Sequence, residues 1–155
     1  MSFHIHALPI DVFSPLFLLS DEALRTRDIR RVVADGRPAY PCRVSLQDAV
    51  EGECLLLLHH DHHRVNTPYR ASGPVYVREA AVQARPPVDD VPALLRRRML
   101  SLRAYDTEGM MVWAELVSGS EVEQGIARLF AIERTEYIHI HYAQPGCYAC
   151  RVTRA

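Results

Sequence analysis

Four short segments in the second half of the chain read as strands, and they limit the folds open to it. Met99 to Tyr105, Met110 to Val117, Tyr137 to Tyr142 and Tyr148 to Thr153 each carry a strand pattern. The loop Asp106 to Gly109 suits a hairpin between the first two, and Pro145-Gly146 suits a type II turn between the last two. Between the hairpins, Ser120 and Glu123 have capping-box spacing, and Val122, Ile126, Leu129 and Phe130 form one apolar stripe at helical period. That helix is expected to pack on a sheet. Upstream, Phe3 to Ala7 alternates as a strand, Ser20 can cap a helix from Asp21 to about Ala34, and Ser45 with Asp48 suggests a short capped helix. Cys54 to Leu58 is a continuous apolar run typical of a buried strand, and Val75 to about Val82 is a further strand. A short helix with Pro92 early in its first turn follows. The expectation is an α+β fold: a mainly antiparallel sheet with two or three helices packed on it, in a single domain over residues 1–155.

Composition narrows function by exclusion. The chain has 155 residues, 48% of them hydrophobic, enough for one core and no more. Basic and acidic residues number 18 and 19, and every basic one is Arg. With no Lys, Schiff-base, P-loop and lysine-base chemistry have no residue to carry them. The near balance of charge lacks the basic face that nucleic acid demands, so no nucleic-acid partner is expected. No stretch is long and apolar enough for a membrane span, and the N-terminal apolar run is broken by Ser14 and Pro15 with no basic region before it. Four cysteines, Cys42, Cys54, Cys147 and Cys150, fit reduced thiols, and the expected location is cytoplasmic. The nucleotide-binding glycine motifs are missing, so no nucleotide cofactor is expected.

The segments YPCRVSL at Tyr40 to Leu46, PYRASGPVYVRE at Pro68 to Glu79, LSLRAYD at Leu100 to Asp106 and the terminal HIHYAQPGCYACRVTRA together carry a resemblance. They resemble a bacterial family of short single-domain proteins described only as domain of unknown function 1203. The resemblance spans essentially the whole chain. It implies a family and no activity, cofactor or catalytic residue.

Histidine carries the most chemical information. His-x-His pairs occur at His4/His6, His60/His62 and His139/His141. On a strand this spacing puts two imidazoles on one face about 7 Å apart, within reach of one transition metal. A third ligand is then needed, for which His59, Asp61, His63 and Cys147 are candidates. The competing reading puts His139 and His141 on the wetter face of a half-buried strand. The HHDHH run reads as a surface loop at a strand's exit, opening an irregular stretch from His59 to Pro74. Cys147 and Cys150 lack the second cysteine pair of a zinc ribbon and the following helix of a thioredoxin-like motif. A lone Cys147 nucleophile would take His139 or His141 as its base. Arg70, Ser72, Arg78, Arg103, Tyr105, His139, His141 and Cys147 are therefore the candidate ligand-binding residues. They suggest a small-anion site lined by Arg, His and Tyr, if Arg78 shares a face with Arg103. The alternatives are a small metal-assisted hydrolase or isomerase built on His139 and His141, and a structural or protein-interaction domain with no ligand site.

Overall fold

The computed structural model describes residues 1–155 and resolves them into two antiparallel sheets with helices at their margins, an α+β architecture. The first sheet holds five strands: β1 (Phe3–His6), β5 (Met99–Tyr105), β6 (Met111–Ser118), β7 (Tyr137–Tyr142) and β8 (Tyr148–Arg154). Their spatial order is β1-β8-β7-β5-β6, so β7 lies in the middle. The second sheet holds β2 (Arg30–Val33), β3 (Cys54–His63) and β4 (Ala71–Arg78), in that order. The single sheet expected from the pattern is thus two. No helix is long and apolar enough to cross a membrane.

Three α-helices accompany the sheets: α1 (Asp21–Arg25), α2 (Ala93–Arg96) and α3 (Val122–Phe130). Ser20 caps α1 through its hydroxyl, which accepts from the Ala23 amide at 3.1 Å. The helix stops far short of Ala34, because Asp28 takes a left-handed φ of 58° and Arg30 opens β2. The Ser45 to Asp48 segment is no helix: Pro41 and Asp48 bridge across a turn there instead. Nor does a capping box at Ser120 start α3; Ser118 accepts from the Ser120 amide and opens a 3-10 turn leading into it.

Helix α3 sets the polarity of the first sheet. Its stripe of Val122, Ile126, Leu129 and Phe130 is buried against Leu100, Leu102, Ile138, Ile140 and Val152. Gly125 permits the close approach, since a Cβ there would come within 2.6 Å of the Leu102 side chain. On β7, Ile138 and Ile140 face this core, so alternation sends Tyr137, His139 and His141 to the opposite face. That face is not wet. All six residues of β7 are buried, the isoleucines in the α3 core and the histidines where the end of β3 lies across them.

Strand β3 reaches this position by being longer than its apolar run. It pairs with β4 from Leu55↔Arg78 to His63↔Ala71, so the expected irregular stretch shrinks to Arg64–Arg70. A register shift between His60 and His63 sets three steps on β3 against two on β4. Such a bulge breaks the strict alternation of side chains. His62 and His63, adjacent in sequence, consequently both meet the histidine face of the first sheet.

Candidate metal centre

Three histidines converge where the two sheets meet. One ring nitrogen from each of His62, His139 and His141 lies within 4.8 Å of the others. By geometry, a point then exists no farther than about 2.8 Å from all three nitrogens, so ring movements of under about 1 Å bring each to the usual zinc distance of about 2.0–2.1 Å. Five buried polar side-chain atoms in the molecule lack a hydrogen-bond partner, and three of them are His62 Nδ1, His139 Nδ1 and His141 Nε2. Leaving one such group unsatisfied costs about 1–3 kcal/mol, so one on each of three converging rings calls for a partner among them.

Protonation decides what that partner can be. Burial pushes the imidazoles down to about 4 for His62, about 2 for His139 and about 3 for His141, with neighbouring histidines adding to the effect. Arg103 acts in the same sense on His62 and His141, and Arg151 on His139, while Asp61 opposes them at His62. All three rings are therefore neutral near pH 7. The His141 Nδ1–H donates to the Gly146 carbonyl at 3.0 Å, which leaves Nε2 with a bare lone pair. Gly146 serves this contact through its left-handed φ of 77°, in the turn between β7 and β8. The His62 ring is held by stacking on Tyr148, at 4.9 Å between centroids and 8° between planes.

His63 sits against the same group but is already engaged. Its Nδ1–H donates to the Tyr69 carbonyl at 2.7 Å and its Nε2 accepts from the Tyr137 hydroxyl at 2.7 Å. Both nitrogens are used, so His63 braces the site and offers no ligand atom. His59 bonds Ser72 at the surface and His60 packs on Phe13.

The other candidate residues separate. Arg103 and Tyr105 share the histidine face: Arg103 pairs with His139 across the β5–β7 ladder and Tyr105 lies 5.2 Å from the His139 ring. Arg103 has no acidic partner; its Nε donates to Ser101 at 3.4 Å. Arg78 is not on that face. It belongs to β4 of the second sheet, where it pairs with Glu53 and donates to Ser45 and Gln47. Arg70 and Ser72 are exposed near the start of β4, where Ser72 bonds His59 and neither side chain bonds His62, His139 or His141. Cys147 Sγ accepts from Arg43 at 3.0 Å and makes no hydrogen bond to His139 or His141, the histidines considered as its base. The third histidine, His62, falls outside the residues favoured from sequence. Its His60-x-His62 spacing was the available signal, and the bulge that turns it inward leaves no mark in the sequence.

The family model described as protein of unknown function, DUF1203, matches residues 39–154, which include all three converging histidines and Arg103. The chain belongs to that family. No curated protein and no solved structure matches it. As a DUF1203 chain it brings no inherited activity, so function has to be argued from the site.

Proposed function

We propose that this DUF1203 protein binds one first-row transition ion, of the zinc class, through His62, His139 and His141, and takes up a small oxyanion at that ion beside Arg103. The observation that carries the reading is the bare Nε2 of buried His141, whose other nitrogen is committed to Gly146. A lone pair in that position accepts a cation or a proton donor and repels an anion. Direct anion binding by the histidines is thereby disfavoured, and a metal ion satisfies all three orphaned nitrogens together.

Charge argues for the anion. Three neutral ligands leave the ion's double charge uncompensated, and Arg103 and Arg151 add to it. An oxygen anion in the remaining position relieves both the ion and the unpaired Arg103 guanidinium, whose planar fork suits carboxylate or phosphate. Three protein ligands with one position left for a small molecule is also the ligand count of catalytic zinc sites. A metal-assisted hydrolase or isomerase is accordingly the catalytic form of the same reading. The four free thiols fit a reducing, cytoplasmic setting.

Cobalt(II) titration of the tag-free protein tests the proposal. The expected result is the intense visible band of four-coordinate cobalt, saturating at one equivalent and shifted by phosphate or a simple carboxylate. Arg103→Met should keep the cobalt stoichiometry and weaken the anion response roughly tenfold. A pale, non-saturating spectrum, or an unchanged titration in His62→Ala, overturns it.

A further inference from the structure

Cys147 lines a separate cavity of about 570 Å³, between the turn that follows β7, the segment from Pro38 to Arg43 and the residues around Arg98. Its Sγ lies 3.0 Å from Nη2 of Arg43. Arg43 is 1% exposed and heads the molecule's fully buried side chains by volume. It forms no ion pair with a carboxylate. Its Nε donates to the Tyr148 carbonyl at 2.7 Å and its Nη1 to the Pro41 carbonyl, both neutral acceptors. A guanidinium cannot shed its proton to ease burial, and a buried charge left without a counter-charge is costly. Among the three acceptors of Arg43, only the sulfur can carry a negative charge.

The cavity wall points the same way. Its charged and titratable side chains are Arg43, Arg97, Arg98, Tyr76, Tyr142 and Cys147; Arg98 and Arg97 pair with Asp48 at 2.5 Å and 3.9 Å, which leaves Arg43 as the one cation of the wall without a carboxylate. Tyr142 is 3% exposed, and its buried hydroxyl has no hydrogen-bond partner. The Arg43 and Arg98 guanidinium carbons stand 5.1 Å and 5.3 Å from its ring centre. A half-buried sulfur beside one uncompensated fixed cation, next to a cavity and an unpartnered buried hydroxyl, is the setting in which thiolates react.

We propose that Cys147 is the thiolate partner of Arg43 and that this cavity is a second reactive site, where hydrogen peroxide oxidises Cys147 to a sulfenic acid. The sulfur attacks one peroxide oxygen; the S–O bond forms as the O–O bond breaks, and hydroxide leaves and takes a proton from solvent. Sulfur loses two electrons and peroxide gains them. The cavity contains none of the three converging histidines, although Tyr148, which accepts from Arg43, stacks on His62. The remaining thiols provide internal controls. Cys42 and Cys150 are fully buried, and burial pushes the Cys150 thiol up to about 12. Cys54 is half-buried, with Arg31 only at 3.9 Å.

The test is site-resolved alkylation of the full-length, tag-free protein by iodoacetamide, read by peptide mass spectrometry at pH 6. At pH 6, Cys147 is expected to react at least about tenfold faster than Cys54, after allowing for the lower intrinsic nucleophilicity of a stabilised thiolate. Brief peroxide treatment followed by dimedone should then mark Cys147, and Cys147→Ser should lose both labels. A Cys147 rate no faster than that of Cys54, or dimedone on Cys54 and not on Cys147, overturns the proposal.

Discussion

Two adjacent histidines show how burial and hydrogen bonding divide roles between identical side chains. His63 spends both nitrogens on Tyr69 and Tyr137, whereas His62 keeps an unpartnered buried nitrogen against His139 and His141. The two alanine variants should therefore separate cleanly. His63→Ala strips partners from the Tyr137 hydroxyl and the Tyr69 carbonyl and is expected to cost about 2–4 kcal/mol in urea unfolding. His62→Ala removes an unsatisfied group at a half-buried position, so its cost should stay below about 1 kcal/mol while zinc affinity falls at least about 100-fold. Equal destabilisation by the two, or equal loss of zinc, would mean that the roles are not divided in this way.

At the scale of elements, the features that were legible in the sequence are those set by local periodicity. The β5–β6 and β7–β8 hairpins, the apolar stripe of α3 and the two faces of β7 all follow from residue spacing, since strand period and helix period leave different marks. What was not legible depends on pairing. Whether Cys54 to Leu58 continues as a strand through His63 is decided by β4 alongside it, and the polar histidines hid that continuation. The bulge between His60 and His63 is a two-strand property, and it alone turns His62 inward. The burial of His139 and His141 likewise depends on the second sheet covering a face that the alternation left apparently wet. Arg78 and Arg103 look alike in their strands, but membership of different sheets sends one to Glu53 and leaves the other free beside the imidazoles.

For the whole molecule, the histidine centre ties stability to pH. The fold keeps His62, His139 and His141 neutral down to about 4, 2 and 3, while the unfolded chain protonates them near 6.5. The unfolded state thus binds more protons below pH 6.5. Stability is full above that value and falls as the pH drops toward the folded values. Each fully buried ring contributes about 1.4 kcal/mol per pH unit in this window, so the metal-free protein should lose a few kcal/mol between pH 7 and pH 5. Urea midpoints across that range check it; a flat profile would mean that the rings are charged in the fold or accessible to solvent. The all-Arg complement of cations adds no titration of its own here, because guanidinium stays charged throughout.

Whether these three imidazoles hold one ion is read from anomalous X-ray scattering of a zinc-soaked crystal of the tag-free protein. The expected result is a single strong zinc peak about 2.0–2.1 Å from one nitrogen each of His62, His139 and His141, with an oxygen ligand on the side of Arg103. A peak confined to the exposed histidines of the HHDHH run, or an empty centre in zinc-saturated crystals, would contradict it.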